Sequence, residues 1–170
     1  MKTLMIETKQ KNERKWTPPE GSWASDEGTR KSMQGNKSRD TKPELRVRSL
    51  LHRQGLRYRV CQRPEKTIPR TADIVFRKAK IAVNIDGCFW HGCPAHYKEP
   101  TKNSVYWRTK IEINHSRDNE TDHLLSQFGW TVLRFWEHED PETVAKIIHE
   151  ELHKSKALDD KEPSINISAK

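Results

Sequence analysis

The stretch "NIDGCFWHGCPAH", residues 84–96, gathers two cysteines, two histidines, an aspartate and an adjacent Phe-Trp pair. Cys88, Cys93 and His96 within it are spaced C-x4-C-x2-H. A zinc site takes about four sulfur or nitrogen ligands in a tetrahedron, usually with short loop spacing between them. Gly87 and Gly92 let the loop fold back sharply enough to bring the three together. A fourth ligand has to come from elsewhere. His138 in "FWEHED" is the candidate, because strand ends on one side of a sheet converge in space. Buried free thiols are the competing reading of Cys88 and Cys93, since cysteine is often buried; the histidine in register favours zinc. Cys61 lies on an alternating segment and reads as core.

A second chemistry is suggested by Asp73, set between apolar residues in "TADIVF". A charge on such a strand is unfavourable unless it is paired or binds a metal. Phosphodiester cleavage needs a divalent cation held by one or two carboxylates, together with a base for the attacking water. Ile85 and Asp86 follow about a dozen residues later, at the end of the next strand. This placement is similar to the hairpin of restriction-endonuclease folds, although "IDG" stands where those carry an acid-x-Lys triplet. His91 is left over if Cys88, Cys93 and His96 take the zinc. An ordinary imidazole, with a pKa of about 6.5, accepts a proton near neutral pH.

The elements that must position these residues are legible from punctuation. "TKPELRVRSLLHRQG" predicts a helix with Thr41 as N-cap, Glu44 at the capping-box position and Gly55 as its stop. "LRYRV" alternates like a half-buried strand, and "TADIVF" and "KIAVNI", joined by "RKAK", predict an antiparallel hairpin. "NSVYWRTKIEINHSRDNETDHLLSQFG" predicts one long helix ended by Gly129, and "WTVLRFWE" a strand. "DPETVAKIIHEELHKSK" predicts a last helix with Asp140 as cap and Pro141 at its first position. The order α-β-β-β-α-β-α implies an α/β fold, a mixed sheet flanked by helices. Residues 1–37, rich in Lys, Glu, Gly and Ser, are expected to form a flexible N-terminal arm; 38–156 form the domain; 157–170 form a loose C-terminal tail.

The chain has 170 residues, 33% of them charged, a mean hydropathy of -1.02 and a formal net charge of +8. That is enough chain for one core. The basic balance favours a polyanionic partner, since each Lys or Arg that neutralises a phosphate releases a counterion. No apolar run approaches the ~20 residues of a membrane span, and "MKTLMIETKQ" lacks a signal-peptide core. The expectation is a cytoplasmic protein with no membrane partner. Three cysteines, two closely paired, then point to metal rather than to a disulfide framework.

Taken together, "DTKPELRVRSLLHRQGLRYRV", "ADIVF", "DGCFWHGCPAHY", "YWRTKIEINHSRD" and "GWTVLRFWEHE" resemble the very short patch repair (Vsr) DNA mismatch endonucleases over roughly residues 30 to 150. The resemblance implies a restriction-endonuclease-like fold, a structural zinc and a catalytic magnesium. It also implies an enzyme that nicks one strand 5′ to the thymine of a T·G mismatch. By position it makes Asp73 the metal-binding aspartate and His91 the catalytic histidine, with Glu44 and Asp118 in support. It gives the zinc the set Cys88, Cys93, His96 and His138. The second magnesium contact falls on the backbone carbonyl of Ile85, where the family has a threonine. Asp86 replaces a family histidine and joins the catalytic set as a candidate additional metal ligand.

Mismatch detection by aromatic wedges is physically reasonable, since unstacking takes a few kcal/mol and less where pairing is already defective. Phe89 and Trp90, beside His91, fit that use, with core packing as the plainer reading of any aromatic pair. The resemblance adds Trp107 and places Met33 of the arm in the opposite groove. Lys110, Asn114, Arg117 and Asp118 share one face of the long helix. A solvated stripe is the ordinary reading of such a face; the resemblance implies that Lys110 and Asn114 contact the mismatched bases.

The expected function is therefore a magnesium-dependent, zinc-stabilised DNA mismatch endonuclease, a monomer acting on double-stranded DNA, with other repair proteins as further candidate partners. Two rivals remain. One is a Vsr-like homing or defence nuclease acting on matched DNA. The other is a zinc-stabilised DNA-binding module without catalysis, which has no use for Asp73 or His91.

Overall fold

The structure, a computed structural model, describes residues 27–159. The chain divides into two compact units, Met1–Asn36 and Lys37–Lys170. In the first, helix α1 (Glu27–Gly35) occupies the end of the segment expected to be a flexible arm, and carries Met33. It has no apolar repeat to announce it; a Lys31–Glu27 pair one turn apart (2.8 Å) supports it instead. The rest of the expected arm, 1–26, lies outside the described residues, as does 160–170 of the expected tail.

The second unit follows the expected order. Helix α2 (Lys42–Arg53) opens with the full capping box between Thr41 and Glu44. Strands β1 (Arg59–Gln62), β2 (Ala72–Phe76) and β3 (Ile81–Asp86) come next, then the long helix α3 (Ser104–Gln127), β4 (Thr131–Trp136) and α4 (Pro141–Asp159). Asp140 caps α4, its Oδ2 accepting from the Thr143 N–H at 2.9 Å. Strand β1 starts three residues later than "LRYRV" suggests, and Cys61 within it has a left-handed φ of 49°. Cys61 is only half-buried, so it is not the core residue its alternation implied.

The sheet runs β1-β2-β3-β4. The first three strands are antiparallel neighbours, while β3 and β4 are parallel and joined through α3, the crossover that a parallel pair requires. One face packs on α2 and α4 through Val47, Leu51, Ile74, Val83, Phe135 and Ile148. The other is covered around Val75, Ala82, Leu125 and Trp130. This gives a mixed α/β architecture with a four-stranded sheet between helices. Among the described residues no helix is long and apolar enough to cross a membrane.

Candidate active site and metal centre

The parallel register sets the geometry of the site. Asp86 at the end of β3 lies opposite Trp136 at the end of β4. Two residues past each strand stand Cys88 and His138, so both enter the same space. The loop after β3 turns back through Cys93 N–H to Cys88 O (2.9 Å), bringing Cys93 and His96 round to meet them.

Ligand atoms of Cys88, Cys93, His96 and His138 all lie within 4.8 Å of one another. Both histidines present Nδ1. The Cys88 sulfur is 3.8 Å from that of His96 and 3.1 Å from that of His138, and the Cys93 sulfur is 3.8 Å from each. A tetrahedral zinc, at about 2.3 Å from sulfur and about 2.0 Å from nitrogen, sets its ligands about 3.3–3.8 Å apart. Three of the four sulfur–nitrogen edges match the long end of that range and the Cys88–His138 edge is shorter, so a bound zinc would even them out. In the protein alone, burial and the adjacent Cys93 push the Cys88 thiol up to about 12; a divalent cation reverses that by pairing with the thiolate. The Cys88 N–H also donates to Glu137 Oε1 at 2.7 Å, fixing the start of the loop.

On the other side of β3, the β2–β3 pairing runs to Ile74↔Val83. One residue further, the Asp73 carboxylate enters the ladder and accepts the Ile85 N–H at 2.7 Å. Among the described residues no cation pairs with it. Burial pushes Asp73 up to about 6, the Ile85 N–H opposes this, and the negative charges of Glu44 and Asp86 add to it. A half-buried acid among other acids, with no cation in direct contact and only the more distant Arg134 charge opposing them, is an arrangement that a hard cation relieves. Glu44 is 4% exposed and already committed locally: Oε2 accepts from Asp40 N (3.0 Å) and Oε1 from the Thr41 hydroxyl (2.8 Å).

His91 sits on the turn between Cys88 and Cys93. Its Nδ1 is 2.6 Å from Asp118 Oδ2 on α3. A carboxylate there accepts a hydrogen bond from Nδ1–H, the tautomer that leaves Nε2 as the acceptor. Burial raises the Asp118 carboxyl, but His91 and Arg134 outweigh it and hold the group below its usual value. Nε2 in turn lies 3.8 Å from Asp86 Oδ1. Gly92 is required where α3 meets this turn. Its φ is +59°, and a Cβ there would come within 2.9 Å of Ile111.

Asp86 has a partner that sequence reasoning missed. Arg134 on β4 grips it with two bonds, Nε to Oδ2 at 2.7 Å and Nη2 to Oδ1 at 2.9 Å. Both oxygens of the candidate additional metal ligand are therefore occupied. Arg134 was hidden inside the apolar run "WTVLRFW"; a lone basic residue at a half-buried strand position was the available signal.

The aromatic residues form one cluster. Ring centroids of Phe89 and Trp90 lie 5.4 Å apart, of Phe89 and Trp107 5.1 Å, and of Trp90 and Trp107 5.9 Å, all edge-to-face. Phe89 and Trp90 are half-buried, while Trp107 is 5% exposed. Asn114, expected to reach a base, is also 5% exposed, and its amide donates to the Trp90 carbonyl at 2.8 Å. The stripe of α3 thus faces the loop, with Lys110 half-buried near its start and Tyr106 exposed beside it.

Comparison with known proteins gives this chemistry a class. The family model described as DNA mismatch endonuclease Vsr matches residues 24–97. The Type II nicking enzyme V.NaeI of Lentzea aerocolonigenes is 42% identical over 128 residues, covering 74% of this chain and 77% of that protein. V.XorIIP of Xanthomonas oryzae pv. oryzae, another Type II nicking enzyme, is 40% identical over 116 residues, 68% of this chain and 83% of its own length. With such relatives, the protein is a DNA endonuclease. DNA mismatch endonuclease Vsr of Escherichia coli K12 is 36% identical over 114 residues, 66% of this chain and 71% of that one. The chain belongs to the Vsr family.

Proposed function

We propose that the protein nicks one strand of double-stranded DNA 5′ to the thymine of a T·G mismatch, in a magnesium-dependent hydrolysis. The observation that carries this reading is Asp73, a half-buried acid that accepts the Ile85 N–H and feels the charge of Asp86, which itself lies 3.8 Å from His91 of the His91–Asp118 pair. Asp73 and the Ile85 carbonyl would hold the magnesium, which when bound neutralises charge on the scissile phosphate. His91 Nε2 accepts a proton from water as the water oxygen forms its bond to phosphorus and one P–O ester bond breaks. Asp118 keeps the imidazole in the tautomer that this needs. Glu44 supports Asp73 from the capped start of α2, and Asp86 belongs to the same acidic set.

Zinc held by Cys88, Cys93, His96 and His138 stiffens the loop that carries both His91 and the aromatic pair. Restriction-endonuclease-like geometry is supported by the hairpin that places Asp73 beside Ile85. Phe89, Trp90 and Trp107 would wedge at the mismatch from one groove and Met33 from the other, while Lys110 and Asn114 read the exposed bases. Because Trp107 and Asn114 are buried as described, this reading requires the aromatic cluster to open when DNA docks. The protein acts as a monomer in the cytoplasm, on nucleoid DNA, with other repair proteins as candidate partners.

A strand-nicking assay on a T·G duplex and its matched counterpart, with and without magnesium, tests the proposal. Wild-type protein nicks only the mismatched strand in magnesium, and Asp73→Ala and His91→Ala, still folded and zinc-loaded, nick neither. Full activity in either variant rejects the catalytic assignment. The relatives' printed name, Type II nicking enzyme, specifies a nick and no mismatch, which leaves as second reading a Vsr-like homing or defence nuclease acting on matched DNA. Cleavage of the matched duplex would select it.

A further inference from the structure

Asp86 follows Ile85, whose N–H the Asp73 carboxylate accepts, and its charge is felt at Asp73, so a free carboxylate there would compete for a place in the shell of any cation held by Asp73. It is not free. Arg134 closes on both its oxygens in the planar fork that guanidinium alone provides. The same Nη2 lies 3.1 Å from Asp118 Oδ2, the oxygen that faces His91 Nδ1. Nη1 reaches Asp122, one turn further along α3, at 3.1 Å. One cation thus sits among three carboxylates from β3 and α3.

The strand register makes this possible. Arg134 stands opposite Asn84, so Asp86, two residues on, shares its face of the sheet. Helix α3 lays Asp118 and Asp122 over that face. Burial works against the Arg134 charge, and the three carboxylates more than offset it.

We infer that Arg134 is a positioning residue of this nuclease: it withdraws Asp86 from the cation site and clamps Asp118, and through Asp118 it fixes the direction of the His91 ring. The inference rests on the catalytic reading of Asp73 and His91 given above. Without the guanidinium, Asp86 turns toward Asp73 and gains a place in the cation's shell. Asp118 loses its second restraint, and the imidazole loses its direction. Lysine supplies the charge but cannot hold two oxygens of one carboxylate and a third of another.

The test compares Arg134→Met, Arg134→Gln and Arg134→Lys with the double variant Asp86→Asn/Arg134→Met. Arg134→Met and Arg134→Gln are expected to lose about 10- to 100-fold in kcat with the KM for DNA little changed, as for other partners that orient a site's ligands. Arg134→Lys recovers a small part of this. The double variant recovers more, because the stranded carboxylate is gone. Two measurements need no turnover. Calorimetry with magnesium alone should show tighter binding in Arg134→Gln, and the low-field Nδ1 proton of His91, assigned by its absence in His91→Gln, should weaken or shift.

Wild-type kcat in Arg134→Gln with an unchanged proton resonance overturns the inference. So does a double variant no better than Arg134→Met together with unaltered magnesium binding. Wild-type protein that nicks no duplex would instead sink the catalytic reading, while the calorimetry and the resonance still decide the role of Arg134.

Discussion

Asp73 and Ile85 meet where the β2–β3 ladder ends: the side chain of one takes the backbone N–H of the other at 2.7 Å. A carboxylate thus replaces a main-chain carbonyl in the sheet, half-buried and with no basic partner among the described residues. Its folded-state value of about 6 lies above the ordinary 3.8, so the fold favours the protonated form. The associated stability is fully present below about pH 4 and is lost as pH rises through 6.

Asp73→Asn should therefore abolish nicking yet stabilise the magnesium-free protein at pH 8. At about 1.4 kcal/mol per pH unit the gain is at most about 3 kcal/mol, and solvent screening makes 1–2 kcal/mol the expected order. Thermal unfolding in magnesium-free buffer should show Tm raised by several degrees, with the difference from wild type shrinking toward pH 4. Magnesium should raise the Tm of wild-type protein but not that of the variant.

Zinc analysis of purified protein should return one ion per chain. Cys93→Ser should lose it, with nicking abolished and the loop opened to proteolysis, because a structural site contributes its binding energy to folding. His138→Cys, which keeps a zinc-binding atom at that position, should retain the ion. Equal zinc content in Cys93→Ser and wild type would remove the tetrahedral assignment.

Asp118→Asn keeps the shape of the His91 partner while removing the charge that selects the Nδ1 proton. Single-turnover nicking should slow by about 10²–10⁴-fold, the range seen when a catalytic histidine loses its orienting carboxylate. Binding of the same duplex, measured by anisotropy, should change less than tenfold.

Trp90→Ala should narrow the ratio of mismatched to matched binding by about tenfold, since base–aromatic stacking contributes about 1–3 kcal/mol. Tryptophan fluorescence gives a direct readout: docking of T·G duplex should alter emission in wild type as the Phe89–Trp90–Trp107 cluster parts. An unaltered spectrum on saturating duplex would mean that the cluster stays closed.

Much of the second unit was legible because its signals are local. Thr41 and Glu44 announce α2 through a capping box, Asp140 and Pro141 announce α4, and "RKAK" between two β-branched runs gives the hairpin. The four-ligand cluster was legible in part from spacing; His138 needed the further idea that neighbouring strand ends converge, which the parallel register bears out. What escaped depends on long-range pairing. Arg134 acquires its meaning from Asp86, 48 residues away, and from a helix laid across both. Similarly, Asn114 looks like a solvent-facing polar residue in a linear reading, and only the packed loop reveals its bond to the Trp90 carbonyl. Helix α1 has no apolar repeat, so periodicity had nothing to detect.

Strand β4 delivers both Arg134 and, just beyond its end, His138, whereas Asp73 and His91 come from earlier in the chain. During synthesis the proposed catalytic residues are therefore made before Arg134 and His138, the residues proposed to hold their surroundings. On the proposed reading, a polypeptide lacking β4 would carry Asp73 and His91 without Arg134 to hold Asp86 and Asp118, and without His138 to complete the Cys/His cluster.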